Sequence, residues 1–244
     1  LLVVQEIFMS ETAKHADVVL PGTTFLEKDG TFTNTERRVQ RVNKAAEPLP
    51  GTKPDGLIVT EMMQKLGYDQ KSYDADEVLA EIADVVPFFK GITRERLGKL
   101  GLQWPVKEDG TDTKILHEKE FKLGKGRLKY FDWKESSEVK NNKEKYPLIL
   151  TTSRVLQHYN AATMTRRTNN IDIVNEDILL VHPKDAKYRE LNTGDVARLY
   201  SGRGEVSLKV EVTDKVKEGI VFTTFHFPEH MVNMVTGHGK DEET

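Results

Sequence analysis

Cysteine is absent from the 244 residues. That excludes disulfides, thiolate metal sites, Cys-ligated iron–sulfur clusters and a Cys nucleophile within this sequence. Long hydrophobic runs are missing as well: no stretch reaches the 18 or so apolar residues of a membrane-spanning helix. The opening LLVVQEIFMS has neither a basic region nor a small-residue cleavage site, so it does not read as a signal peptide. An initiator Met is lacking too. A chain that opens directly on strand-like apolar residues and closes on the charged VTGHGKDEET is expected to be a segment of a longer protein. Internal repeats and low-complexity segments are not evident. A net charge of −3 gives no general attraction to nucleic acid or to acidic membrane surfaces.

What is present is ordinary globular composition, 37% hydrophobic and 31% charged, long enough for one large domain or two smaller ones. LLVVQ, SETAKHA and DVVLP read as strand, short helix and strand, the alternation of a parallel sheet, with Ser10 as a candidate N-cap. GTFTNTERRVQRVNKA alternates Phe32, Val39 and Val42 with polar residues and suits a hairpin or an irregular loop. Leu57, Ile58, Met62 and Leu66 then recur at helical spacing from Pro54 until Gly67 offers a stop. A second helix is expected around 75–83. From Phe88 to Lys145 apolar residues are scattered among charge-rich stretches, which reads as a long connection with a strand or two.

After Tyr146 the pattern changes. PLILTTS is a strand, and HPKDAKYREL a short helix from Pro183 to Asn192. VSLKVEV puts Val206, Leu208, Val210 and Val212 on one face by strict alternation. YSGRGE joins DVARL to VSLKV as a hairpin turn, and IVFTTFHF adds a strand. Several short strands with one short helix suggest a small β-barrel.

The stretch TTSRVLQHYNAATMTRRT, 151–168, concentrates hydroxyls, Arg154, Arg166, Arg167, a His and a Tyr without a continuous apolar face. Hydroxyls and successive backbone N–H groups can surround phosphate oxygens, and an Arg can pair with them by charge-assisted hydrogen bonds. A solvated loop after a strand is the plainer alternative. His226 and His230 are four apart, but Pro228 between them opposes the helix that a zinc pair would need, which favours a core or solvated role. Arg37 and Arg38 suit structural ion pairs as well as a ligand carboxylate. The Gly202–Gly204 stretch is a turn and not a phosphate loop, because no helix follows it.

Taken together and in order, ETAKHADVVLPGTTFLEKDGTFTNTERRVQ, TTSRVLQHYNAATMTRR, HPKDAKYRELNTGD and FHFPEHMVNMVTG resemble the C-terminal part of a molybdopterin-dependent oxidoreductase of the dimethyl-sulfoxide-reductase superfamily, most like a formate dehydrogenase α subunit. The resemblance implies an α/β plus β-barrel fold. Residues 1–87 would be the C-terminal part of a cofactor-binding parallel-sheet domain and 88–145 a connecting segment. Residues 146–244 would form a double-psi-type β-barrel that binds a molybdopterin dinucleotide, truncated at its end.

The implied cofactor is molybdopterin guanine dinucleotide, as a pair on molybdenum or tungsten. The resemblance assigns the loop of Thr152, Ser153, Arg154, Val155, Leu156, Gln157, His158, Tyr159, Asn160 and Ala161 to wrap one dinucleotide, with His158 and Tyr159 donating at the pterin side. It assigns Phe225 and Asn233 to approach the pterin, and Gln5 and Glu6 to a nucleotide ribose. Lys28 and Asp55 match further nucleotide contacts, where an Asp can accept from the N1–H and amino group of guanine. In the family, the Cys or selenocysteine on the metal and the 4Fe–4S cluster lie in the N-terminal part, outside this sequence, so no catalytic or metal-ligating residue is assigned here. Implied partners are the rest of the polypeptide, electron-transfer subunits and formate, in the cytoplasm, without nucleic acid. A nitrate reductase, a relative of the NADH-dehydrogenase large subunit, and a β-barrel binding module without redox chemistry are the alternatives.

Overall fold

A computed structural model of the chain describes residues 1–107 and 109–237, so the last part of the charged tail lies outside the described residues. The chain divides into two compact units, one over Leu1–Lys129 and the other starting at Tyr130.

In the first unit, strands β1 (Val3–Glu6) and β2 (Val18–Pro21) pair in parallel, Val3 opposite Val18 and Glu6 opposite Pro21. The helix expected between them is reduced to one 3-10 turn, Ala13–His15. The link falls short of the dozen or so residues that a crossover helix takes up. The N-cap position is Thr12, not the expected Ser10, and carries no side-chain cap, although Ser10 Oγ accepts the Ala13 N–H at 3.3 Å.

β3 (Gly30–Thr33) and β4 (Arg38–Val42) form the hairpin, antiparallel. Helix α1 (Asp55–Lys65) follows Pro54 and stops before Gly67, whose φ of +90° is a glycine conformation. Asp74 caps α2 (Ala75–Val85), accepting the N–H groups of Asp76 and Glu77 at 2.8 and 3.0 Å. A short α3 (Arg94–Leu97) and β5 (Leu102–Gln103) complete the unit, with β5 pairing antiparallel to β4. Val39, Leu79, Ile92 and Leu97 form its buried cluster, so the start of the stretch that reads from sequence as a connection closes this core.

The second unit opens with α4 (Ser137–Asn142), capped by Ser136. Its sheet is built from β6 (Ile149–Thr152), β7 (Ile178–Val181), β8 (Val196–Tyr200), β9 (Glu205–Val212) and β10 (Ile220–Thr223), with α5 (Pro183–Tyr188) between β7 and β8. The order is β6-β10-β7-β9-β8: β10 runs parallel to β6 and antiparallel to β7, β7 is parallel to β9, and β8–β9 is the predicted hairpin. β6 and β8 are the outer strands, and no pairing closes them on each other among the described residues.

Alternation along β9 buries Val206, Leu208 and Val210 against Leu179, Val181, Ala186, Val221 and Val235. Each such side chain contributes about 1.5–3 kcal/mol when fully buried. α5 starts at Pro183 as expected but ends at Tyr188, short of Asn192, because Glu190 turns the backbone to a φ of +55°. Among the described residues no helix is long and apolar enough to cross a membrane.

Candidate functional site

Each unit gathers its own set of polar residues, and in the first unit they meet at strand ends. Gln5 and Glu6 finish β1. Gly22, just past β2, bridges in parallel to Lys53, whose N–H donates to Pro21 O at 3.1 Å. That bridge brings Asp55, the first residue of α1, to the carboxyl ends of the parallel pair, the usual ligand crevice of such sheets. Gln5 Nε2 donates to Asp55 Oδ1 at 2.5 Å, and Lys28 Nζ pairs with Asp55 Oδ2.

Lys28 is delivered by a 3-10 turn, Phe25–Glu27, that closes a capping box: Thr24 N–H and Oγ1 donate to Glu27 Oε2 at 2.8 and 2.9 Å. Burial opposes the charge on Asp55, but the hydrogen bonds from Lys28 and Gln5 outweigh it and hold the carboxyl below its ordinary range. A carboxylate has about four acceptor sites, so beside Lys28, Gln5 and its own backbone N–H it has room for a further donor. Glu6 turns inward, its Oε1 accepting the Ile7 N–H at 2.9 Å.

Sequence reading passes over Gly22 and Tyr73. A Cβ at Gly22 would stand 3.1 Å from Asp55 Oδ1, so the missing side chain leaves that oxygen open. At Gly56 a Cβ would meet the Tyr73 ring at 2.1 Å, which places the ring on the first turn of α1. Burial, then the negative charges of Asp55 and Asp74, push the Tyr73 hydroxyl above its usual pKa. A contact between residues 56 and 73 leaves no periodic trace in the sequence.

In the second unit the donor-rich stretch leaves β6 as an exposed loop. Ser153 N–H donates to Thr223 O at 3.3 Å and Val155 N–H to His226 Nε2 at 3.1 Å. Arg154 Nε donates to Asn160 Oδ1 at 3.0 Å while its guanidinium lies 5.0 Å from the centre of the Phe225 ring, so three of the predicted residues form one cluster. Asn160 and Ala162 take positive φ, +48° and +56°. The backbone N–H groups of Arg154, Leu156, Gln157, Asn160 and Ala161 donate to no acceptor among the described residues. The side chains of Thr152, Ser153, Leu156, Tyr159 and Ala161 are exposed. Gln157 is held from its carbonyl, which accepts Asn170 Nδ2 at 2.8 Å.

His158 is placed differently from its neighbours. It is buried, with Nε2 2.7 Å from Val174 O and Nδ1 3.0 Å from Thr165 Oγ1. A carbonyl can only accept, so Nε2 carries a hydrogen and donates to Val174 O, and Nδ1 shares a hydrogen bond with the Thr165 hydroxyl, so both ring nitrogens are committed within the unit. Asn233 is exposed, its carbonyl accepting Thr236 Oγ1 at 3.1 Å, and no hydrogen bond or ring contact joins it to the loop among the described residues.

His226 is fully buried and accepts from Val155, as the core reading requires, while His230 Nδ1 lies 3.4 Å from Asp177 Oδ2 without hydrogen-bond geometry. Arg37 is structural, donating to the carbonyls of Trp104, Thr113 and Lys114, and Arg38 pairs with Glu36. The Gly202–Gly204 stretch is the β8–β9 turn, closed by Ser201 N–H on Gly204 O at 2.9 Å. Asp177, which no sequence pattern marks, is fully buried and accepts from Thr224 Oγ1 and from the N–H groups of His226 and Phe227 at 3.1 and 3.2 Å.

These two sets fall within two family matches: residues 1–65 match the family model described as molybdopterin oxidoreductase, and residues 148–244 match that of the molydopterin dinucleotide binding domain. The chain thus carries a molybdopterin oxidoreductase segment and a molydopterin dinucleotide binding domain. The chain is 43% identical over 247 residues to the F420-dependent formate dehydrogenase subunit alpha of Methanocaldococcus jannaschii, covering 99% of this chain and 36% of that protein. It is 43% identical over 245 residues to the F420-dependent formate dehydrogenase 2 subunit alpha of Methanococcus maripaludis, covering 98% of this chain and 36% of that protein. A putative formate dehydrogenase of Staphylococcus haemolyticus is 43% identical over 218 residues, which is 88% of this chain and 22% of that protein.

The chain thus spans about a third of the length of the first two of these relatives, 36% in each case. Among solved structures, acetylene hydratase from Pelobacter acetylenicus shares the fold at a TM-score of 0.67 and 22% identity, over 94% of this chain and 34% of that one.

Proposed function

We propose that this chain is the dinucleotide-holding portion of a formate dehydrogenase catalytic subunit. The observation that carries the reading is the loop after β6. Its backbone N–H groups at 154, 156, 157, 160 and 161 lack acceptors among the described residues, and Arg154 stands among them. Such a set suits the pyrophosphate of a molybdopterin guanine dinucleotide, since backbone N–H groups and a guanidinium are the donors that recur around phosphate oxygens.

In this reading Ser153 and Thr152 add hydroxyls, and Tyr159 donates near the pterin. Val155, Leu156, Gln157, Asn160 and Ala161 contribute backbone, and His158 holds the loop from beneath. Phe225 and Asn233 approach the pterin, the ring together with the Arg154 guanidinium above it. In the first unit Gln5, Glu6 and Lys28 face ribose and phosphate, and Asp55 accepts from the guanine N1–H and amino group. When bound, such a pair of pterin dinucleotides on molybdenum or tungsten would supply the two-electron acceptor for oxidation of formate to carbon dioxide and a proton. The residues of this chain bind and orient; the metal ligand and a 4Fe–4S cluster belong to other sequence.

The domain organisation belongs to the same proposal: 1–87 as the end of a cofactor-binding α/β domain, 88–145 as its connection, and 146–244 as a dinucleotide-binding barrel of double-psi type. The F420-dependent relatives support electron transfer to partner subunits, and the absence of a spanning helix among the described residues is compatible with a cytoplasmic enzyme.

Arg154→Ala in the full-length protein tests the reading. Loss of one charge-assisted partner, about 1.5–3 kcal/mol, should lower the guanine nucleotide and molybdenum or tungsten released per polypeptide about 10-fold or more under dilute conditions. Unchanged contents of both would refute it.

A further inference from the structure

We propose that His226 is a positioning residue that sets the 153–161 loop to receive its anionic ligand; the inference rests on the reading of that loop given above. His226 is fully buried, and its two ring nitrogens reach two separate points of the loop. Val155 N–H donates to Nε2 at 3.1 Å, so Nε2 must be bare. Nδ1 lies 2.5 Å from Asn160 O, which can only accept, so Nδ1 must carry the hydrogen. One neutral tautomer satisfies both contacts. The imidazole therefore clamps the residue next to Arg154 and the residue whose side chain Arg154 holds, and the N–H groups without acceptors lie between and beside these two anchors.

The clamp acts on a strained turn. Asn160 has a φ of +48° and the buried Ala162 one of +56°, conformations that L-residues adopt at a cost and that surrounding contacts must impose. The Asn160 carbonyl is directed by His226 and its amide oxygen by Arg154, which fixes that peptide from both sides. His226 in turn is fixed from behind. Its own N–H donates to the buried Asp177 at 3.1 Å, the Phe227 N–H does so at 3.2 Å, and its ring lies 5.5 Å from each of the rings of His158 and Phe225. A histidine with both nitrogens committed inside the protein cannot serve as ligand donor or proton carrier without letting go of the loop. Its chemistry is that of a two-ended strut.

Three substitutions separate the two ends. His226→Phe keeps an aromatic ring and removes both hydrogen bonds. His226→Gln places an amide oxygen near the position of Nε2 and keeps the acceptor for Val155. His226→Asn places an amide nitrogen near the position of Nδ1 and keeps the donor for Asn160. The measurements are amide hydrogen exchange of residues 153–161, with β9 as internal reference, and guanine nucleotide released per polypeptide, both in the full-length protein.

Exchange in the loop should rise by about fivefold for each hydrogen bond lost, so the Phe variant exceeds the Gln and Asn variants. β9 should stay protected, and nucleotide content should fall in the same ranking. Full nucleotide retention with unchanged loop exchange in His226→Phe would overturn the inference. So would equal effects of all three substitutions, or loosening of β9 together with the loop, since these mark a residue that merely fills the core. If wild-type protein yields no guanine nucleotide, the loop reading itself fails, and the exchange ranking alone then decides whether His226 orders the segment.

Discussion

On the proposed reading, the two units offer polar groups to the same kind of ligand by opposite means. In the first, the offering is side-chain charge: Asp55, Lys28 and Gln5 meet at the ends of β1 and β2, and the Asp55 carboxylate is about half exposed, at 48%. In the second, it is backbone shape: N–H groups of an exposed loop, held by His226 and Asp177, both at 0% exposure. Side-chain charge can be changed at the surface with little disturbance to the fold. Backbone shape cannot be mutated where it acts, so the sensitive positions lie underneath, in residues that never touch the ligand.

Asp177 should therefore give the largest effect. Its carboxylate accepts Thr224 Oγ1 and the buried N–H groups of His226 and Phe227, and Asp177→Ala leaves these donors without a partner in a dry environment. With each buried unsatisfied donor costing roughly 1–3 kcal/mol, a loss of about 3–5 kcal/mol is expected in denaturant unfolding of the second unit. A loss below about 1 kcal/mol would mean that water or a shifted backbone satisfies those groups, and the contrast between the units would collapse.

This contrast also marks what could be read from sequence. The β9 alternation, the Gly-bearing turn before it and the α1 periodicity are local patterns, and each appears in the fold where the residues place it. Ile92 and Leu97 were not legible, because two buried residues among scattered charges have no period; they become core only when β4 and α2 are packed around them. SETAKHA reads as a short helix but forms a single 3-10 turn, because a candidate cap marks where a helix can begin and says nothing of how much chain remains to form it. At the site, the loop stood out by its density of donors. Asp177 and His226 could not be assigned their roles, since the bonds they make span 49 and 71 residues. The candidate pair His226 and His230, four apart, illustrates the limit: spacing raised the question of a metal, and burial answered it with a strut.

Asp55→Asn probes the exposed side of the comparison. It removes the anionic partner of Lys28 in a pair whose side chains are 26% and 48% exposed, so about 0.2–1 kcal/mol of stability should be lost at neutral pH. Ligand binding should suffer more: an amide nitrogen facing the guanine N1–H or amino group opposes donor to donor, and guanine nucleotide content should fall several-fold. The pH dependence has a defined sign. A carboxyl held below its ordinary range contributes fully above about pH 4, where an unfolded aspartate is already ionised, and the contribution disappears as pH falls through the folded pKa. Wild type and Asp55→Asn should therefore differ in melting temperature at pH 7 and converge in acid. Full nucleotide retention by the variant would remove Asp55 from the site.

The smallest effect is expected at Glu229, whose carboxylate is in one of the exposed ion pairs of the second unit. Burial opposes its charge, but the hydrogen bond from Arg166 outweighs it and holds the carboxyl below its ordinary range, with Arg166 Nη2 2.5 Å from Glu229 Oε1. The Glu229 side chain is 60% exposed, so solvent screens the pair and Glu229→Gln should cost only about 0.2–1 kcal/mol. Here too the contribution is present above about pH 4.3 and lost as pH falls through the folded pKa, so the two proteins should converge in acid, and added salt should narrow the gap at pH 7. Arg166 also lies 4.9 Å over the Phe227 ring, one residue from His226, which makes the substitution a control on the clamp. If the backbone loop depends on buried contacts alone, Glu229→Gln leaves its amide exchange unchanged. Faster exchange at residues 153–161 would show that surface charge in this unit reaches the loop after all, and the division between the two modes of holding a ligand would have to be redrawn.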